Sequence, residues 1–408
     1  MKFEESIEWL YGTQTFGIKL GLENTERLLE NYDVLKRLEG VKVIHVAGTN
    51  GKGSVCAFAE RILRDAGLRT GLFTSPHLVS YRERIQVSGE RIDEESVARI
   101  LTELRHDVTD WDPHPTFFEL SLLLALRYFL SQECEVVLLE TGMGGRLDST
   151  NAVPASVSVI TPIGLDHREW LGETIREIAG EKAGILKPNT PAVIADLHPE
   201  ARDVVGRRAL TLGIPYIEAH PLPMEWELGL KGPHQRENAA LAVEAACRVE
   251  GDRLTQEGIR ESLGRTSWPG RFEEFSEKIT VDGAHNPEAA AALVESWRER
   301  HGEEKAHLIF GVANSKDVVA LLRELIPIVA TVTLVPIQSE RRLSEEEMGE
   351  ALIEAGGVDL PLIDATDLSE ALAAANSRDG RSLLTGSLFL VGEARGLLGG
   401  EAVEVSGQ

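Results

Sequence analysis

The stretch His45-Val46-Ala47-Gly48-Thr49-Asn50-Gly51-Lys52-Gly53-Ser54 decides how this chain folds. An apolar run at 41–46 leads into it and a helical pattern at 55–65 follows. Strand, glycine-rich turn and helix together cradle phosphates. Glycines let consecutive N–H groups curl inward, and the helix N-terminus adds partial positive charge. Lys52 adds a full charge, and a hydroxyl such as Ser54 can reach Mg²⁺. The stretch therefore predicts binding of a nucleoside triphosphate. It departs from the common G-x-x-x-x-G-K-[ST] loop, with Val46 at the first glycine and Gly53 at the hydroxyl position. A plain strand–helix turn is the competing reading.

Outward from the loop, apolar runs alternate with helical patterns. Strands are predicted at 41–47, 69–74, 84–88, 135–140, 156–161 and 191–195, with a further one at 224–230. Helices are predicted at 52–66, 93–106, 117–131, 173–186, 198–211 and 235–250. Fully apolar strands between helices imply a mostly parallel sheet covered on both faces. The Pro269-Gly270 turn breaks this pattern. Beyond it the alternation restarts, with strands at 278–282, 306–311, 330–335, 361–364 and 382–385. Helices at 287–299, 317–326, 344–355 and 368–377 lie between them. The fold class is α/β. A P-loop ATPase-type domain at 1–270 would precede a smaller Rossmann-like domain at 271–408. A chain of 408 residues is too long for one ordinary core, which agrees with two domains.

The net charge of −24 argues against general binding to nucleic acid or anionic membrane, since both need a basic face. Cys56, Cys134 and Cys247 lie far apart and form no C-x-x-C pair, so a reducing cytosol fits best. Cys56 and Cys247 sit in helical patterns and are expected in the core. The N-terminal residues lack the apolar centre of a signal peptide. The longest apolar stretch, 117–130, is too short to span a bilayer and contains Glu119 and Arg127. A cytoplasmic monomer is expected.

Four polar clusters stand at predicted strand ends, where ligands of such sheets bind. They are the phosphate loop, Thr74-Ser75-Pro76-His77-Leu78, the segment from Glu140 through Met143 to Asp148, and Gly164-Leu165-Asp166-His167. Each has a bland reading: Glu140 as a helix cap, or His167 as one of eleven histidines. Together they make a hard-ligand set suited to Mg²⁺.

With these motifs the chain resembles the folylpolyglutamate synthase/dihydrofolate synthase family of the Mur ligase superfamily. The most specific parts are Gly48 to Ser54, Thr74 to Leu78, Glu140 to Asp148, and Asp282-Gly283-Ala284-His285-Asn286-Pro287. The family's phosphate loop has the same shortened form. The resemblance implies an ATP-dependent ligase that joins L-glutamate to folates, and to dihydropteroate, through an acyl phosphate. Gly48, Thr49, Asn50, Gly51, Lys52, Gly53 and Ser54 would bind ATP, with Asn238, Arg271 and Asp282. Ser54 would hold one Mg²⁺, and Ser75, Glu140 and His167 a second. Lys182 matches a carbamylated lysine of the family; a surface lysine on its helix is the bland alternative. Lys52, Lys182, His167 and His285 would carry the catalytic roles, and His285 and Ser387 would lie near the incoming glutamate. A turn-bonded strand-end histidine is the alternative for His285.

The segments Lys19-Leu20-Gly21, Thr116-Phe117-Phe118-Glu119 and Leu147-Asp148-Ser149 match those that contact the pterin substrate. Some members carry Asp where this chain has Lys19. Periodicity assigns at least one of Phe117 and Phe118 to the core. Two rival functions stand beside this one. The first is a Mur-type ligase acting on a nucleotide-linked cell-wall sugar. Such enzymes carry an extra N-terminal domain, for which a loop beginning by residue 48 leaves no room in this sequence. The second is a nucleotide-dependent switch module, which has no need of the 282–285 segment.

Overall fold

The computed structural model describes residues 1–16, 21–313, 317–339 and 342–404. Lys19 and Leu20 lie outside the described residues. The larger sheet contains β1 Lys42–Ala47, β2 Thr70–Phe73, β3 Ile85–Val87, β4 Glu90–Arg91, β5 Val136–Glu140, β6 Val157–Ile160, β7 Ala192–Ile194 and β8 Tyr216–Glu218. Its order is β4-β3-β2-β5-β1-β6-β7-β8. The pairings along β2-β5-β1-β6-β7-β8 are all parallel, whereas β2–β3 and β3–β4 are antiparallel. A smaller sheet follows, made of β9 Glu273–Glu274, β10 Ile279–Val281, β11 Ala306–Phe310, β12 Val329–Leu334 and β13 Ser382–Thr385. Its order is β12-β11-β13-β10-β9.

Alternating side chains of β5 serve two cores. Val136 and Leu138 pack in one cluster with Phe58, Ile62 and Leu241, while Val137 and Leu139 pack in another with Leu104, Leu123 and Phe129. A strand whose faces are both covered has no polar side to show, which is why β5 reads as an unbroken apolar run. Fully burying each of these side chains contributes about 1.5–3 kcal/mol. The helix Phe117–Ser131 is predominantly buried, and among the described residues no helix is long and apolar enough to cross a membrane.

Register fixes the position of the site. In β1, Ile44 lies opposite Leu138 of β5 and Val157 of β6, and β2 flanks β5. The carboxyl ends of β2, β5, β1 and β6 are therefore neighbours, and the four polar clusters emerge side by side.

Three expectations are corrected. No strand forms at 224–230. Arg236 donates to the carbonyls of Pro223, Met224 and Trp226, and the Gly229 N–H is taken by Leu263 O, so these backbone groups are bonded outside any ladder. The edge position belongs to β8 instead. The 361–364 strand shrinks to one bridge, Val332 to Leu362, because Pro361 has no N–H to extend it. Cys247 is exposed on its helix, whereas Cys56 is buried. The helices Phe3–Gly12, Glu23–Asn31 and Leu388–Gly399 lie outside the predicted set.

Candidate functional site

The phosphate loop passes from β1 into the helix Lys52–Asp65. Gly51 has φ +87°, and a Cβ there would sit 2.3 Å from the Asn238 side-chain oxygen. Only glycine fits this turn against the buried Asn238. The Asn238 amide is steadied by its bond to Gln235 (3.0 Å). Thr49 and Gly164 exchange two bonds, of 3.1 and 3.0 Å, joining the loop to the end of β6. Gly53 and Ser54 lie buried in the first helical turn.

Two lysines converge on the loop. Lys52 Nζ donates to the carbonyls of Gly48 and Thr49, both at 3.1 Å, and the buried Lys182 Nζ donates to Gly48 O at 2.7 Å. Burial and the neighbouring Lys52 charge bring the Lys182 amine down to about 7. Lys182 is thus no surface lysine.

Glu140, at the end of β5, is buried and accepts from the Ser75 N–H at 3.2 Å. Burial pushes its carboxyl up, with Lys52 opposing. His167 sits at φ +49°, its imidazole half exposed and 3.7 Å from the Asp166 carboxylate. Burial works against ionisation of Asp166, but the charges of His167, His285, Lys52 and Lys182 outweigh it and hold its carboxyl below the usual range. Asp166 therefore belongs to the site, although sequence reasoning gave it no role. Its signal was its place beside His167 at a strand end. A cleft of about 280 Å³ opens alongside, lined among others by Gly53, Ser75, Glu140, Trp268 and Arg271.

The second unit supplies the other wall. Asp282 follows β10 and accepts from the N–H groups of Phe272 (2.7 Å) and Ala284 (2.9 Å). Burial pushes its carboxyl up, and Arg271 opposes this. The carboxylate thus shapes the turn that carries His285. His285 Nδ1 lies 2.8 Å from Gly283 O. A carbonyl only accepts, so Nδ1 is the donor and Nε2 is left facing away from this bond. The turn bond of the bland alternative is present, and it orients the ring. Ser387 ends the β13 loop and caps the helix Leu388–Gly399 through Phe389 N (3.1 Å). Asn50 and Asn286 exchange two amide bonds, of 3.3 and 3.1 Å, across the two units.

The pterin segments are partly scaffold. Phe117 is buried and stacks on Tyr11 at 5.5 Å between centroids. The Glu119 carboxylate accepts from Thr116 N (2.7 Å) and Thr25 Oγ1 (3.4 Å), closing a capping box. These contacts give Phe117 and Glu119 a part in holding the helix Phe117–Ser131. Phe118 is half-buried, 5.6 Å from Phe73 and against Gly142. Asp148 accepts from the N–H groups of Gly142 (2.8 Å), Met143 (2.9 Å) and Thr150 (3.0 Å). It clamps the loop after β5; Leu147 precedes it half-buried and Ser149 follows it buried. Gly21 lies just before the helix Glu23–Asn31. Among the described residues no group of three or more His, Cys, Asp or Glu side chains could hold a metal ion. A metal here would lean on hydroxyls and phosphate oxygens, as Mg²⁺ does.

Residues 46–208 match the Mur ligase middle domain, and residues 270–388 match the Mur ligase glutamate ligase domain. The fold and site thus define a Mur-type ATP-dependent ligase. The chain is 34% identical over 356 residues to the dihydrofolate synthase/folylpolyglutamate synthase of Bacillus subtilis, covering 79% of this chain and 82% of that protein. It is similar to E. coli FolC in complex with DHPP and ADP, with TM-score 0.85, 30% identity and 97% and 98% of the two chains covered. It is also similar to the bifunctional folylpolyglutamate synthase/dihydrofolate synthase of Yersinia pestis complexed with AMPPNP and a Mn ion, with TM-score 0.85, 29% identity and 98% of each chain covered. The chain belongs to the folylpolyglutamate synthase/dihydrofolate synthase family.

Proposed function

We propose that the chain adds L-glutamate to folates at the expense of ATP, and that it also glutamylates dihydropteroate. The observation that carries this is the meeting of the phosphate loop with the 282–286 segment through Asn50 and Asn286. A nucleotide switch has no use for a second unit docked on its loop. In this reading residues 1–270 form the nucleotide domain and residues 271–408 the glutamate-ligase domain.

A carboxylate resists attack by an amine because it is anionic and lacks a good leaving group. Transfer of the γ-phosphoryl group of ATP to a carboxylate oxygen gives an acyl phosphate and ADP. The α-amine of glutamate then attacks the acyl carbon, phosphate leaves with the oxygen, and the amine gives up its proton as the amide forms. The first transfer needs charge neutralisation and alignment more than covalent help. Lys52 supplies a cation at the loop. Ser54 would hold one divalent ion, and Ser75, Glu140 and His167 a second, because Glu140 is a buried carboxylate opposed by the Lys52 charge and the other donors are hydroxyl and imidazole groups. Such ions would supply further charge neutralisation for the transfer. His285 Nε2 would accept from the glutamate ammonium, with Ser387 beside it. Asn238, Arg271 and Asp282 would line the nucleotide side.

Lys182 would act as its carbamate. The neutral amine attacks CO₂, forming an N–C bond and releasing a proton. An amine near 7 provides the neutral form at neutral pH. Lys182→Ala should lose activity and regain part of it with acetate or formate, since a small carboxylate replaces the lost oxygens. Rescue by a small amine and not by carboxylates would show that the working group is an ammonium.

The function is tested by ADP release with tetrahydrofolate or dihydropteroate, each with and without glutamate. Sustained ADP release should require both the pteridine substrate and glutamate. The half-buried Phe118 beside the Asp148-clamped loop favours the dihydropteroate activity, because a flat pterin needs an apolar wall with fixed polar groups. Extension of tetrahydrofolate with dihydropteroate untouched would make the enzyme monofunctional.

A further inference from the structure

The first turn of the helix Pro287–His301 is fastened to the larger sheet's loops at two points. Asn286 is 4% exposed and faces Asn50 of the phosphate loop in a reciprocal amide pair. Its Oδ1 also accepts from Ala289 N at 2.8 Å, so the amide caps its own helix while reaching across. Two residues on, Glu288 accepts from Leu165 N at 3.3 Å, and its carboxylate fills the space over Gly164. His285 immediately precedes this turn. The two anchors lie on loops that leave the adjacent strands β1 and β6, which carry Lys52 and His167.

We propose that Asn286 and Glu288 are positioning residues that dock His285 onto the phosphate loop and so decide whether the acyl phosphate meets glutamate or water. The inference rests on the acyl-phosphate reading above. A hydrogen bond of this kind is worth about tenfold or less in an equilibrium. The three bonds at these two points fasten the turn without locking it, as a cycle that must release product requires. With the dock broken, water takes the place of the amine. The C–O or P–O bond of the acyl phosphate is hydrolysed, the folate carboxylate returns, and phosphate is released with no amide made.

The test uses the full chain with Asn286→Ser, Glu288→Ala and Glu288→Gln. Serine keeps the helix cap but is too short to pair with Asn50. Glutamine keeps the acceptor for Leu165. Phosphate released per amide formed, and KM for glutamate, should both rise by up to about tenfold in Asn286→Ser and Glu288→Ala, with Glu288→Gln near wild type. An Asn50→Ala/Asn286→Ser cycle should be strongly non-additive. Unchanged coupling ratios and glutamate KM in both disruptive variants would overturn the proposal. Small-angle scattering with AMPPNP reads the dock without turnover. The Asn286→Ser/Glu288→Ala protein should be more expanded than wild type, and an unchanged radius of gyration would overturn the dock itself. A wild type that makes no amide, yet loses compactness on these substitutions, would fail the functional reading and leave the dock standing.

Discussion

Lys52→Ala should abolish ligation while the fold survives. Its ammonium sits at the mouth of the loop on the carbonyls of Gly48 and Thr49, where the β- and γ-phosphates would take over as partners. The bonds it loses on substitution are to carbonyls of one loop, and the β1 ladder to β5 and β6 does not depend on them. Removing a preorganised charge that meets developing charge in a dry site costs on the order of 10²–10³ in kcat. Steady-state kinetics with a thermal melt alongside checks both halves. Near-normal turnover would remove the loop from the ATP site. A collapsed melting temperature would show that Lys52 is needed for folding, and the kinetic loss would then say nothing about phosphate.

Glu140 should have an effect of similar size and a different signature. It is a buried carboxylate with one backbone partner, the Ser75 N–H, and its strongest counter-charge is Lys52. A carboxylate kept in that position at a desolvation cost calls for a cation that the protein alone supplies incompletely. Glu140→Gln preserves the acceptor for Ser75 and removes the charge. It should lower kcat by about 10²–10³ and raise the Mg²⁺ concentration needed for half-maximal rate, with nucleotide affinity changed far less. His167→Ala should move the Mg²⁺ response in the same direction. An unaltered Mg²⁺ titration in both variants would place the second ion elsewhere.

Much of the site was legible because its parts are local. Parallel strands buried on both faces read as apolar runs, and each run here ends in a polar cluster. The strand order β2-β5-β1-β6 then gathers those clusters. What the sequence hid is long-range or doubly used. Asn50 and Asn286 are 236 positions apart, and no periodicity encodes their pairing. Asp148 looked like a ligand-facing carboxylate, yet three backbone N–H groups take its oxygens. Thr116 and Glu119 carried their own explanation, since Thr-x-x-Glu before an apolar run is a capping box. Arg236 explains why 224–230 is not a strand. One side chain replaced a ladder, and strand propensity is blind to such competition.

The central claim is that a folate carboxylate is activated as an acyl phosphate before glutamate attacks. The most direct measurement labels the oxygens of that carboxylate with a heavy isotope and follows them by mass spectrometry through one turnover with ATP, Mg²⁺ and glutamate. The account predicts one labelled oxygen in the inorganic phosphate, one retained in the new amide, and a product longer by one glutamyl residue. Amide product accompanied by unlabelled phosphate would contradict it.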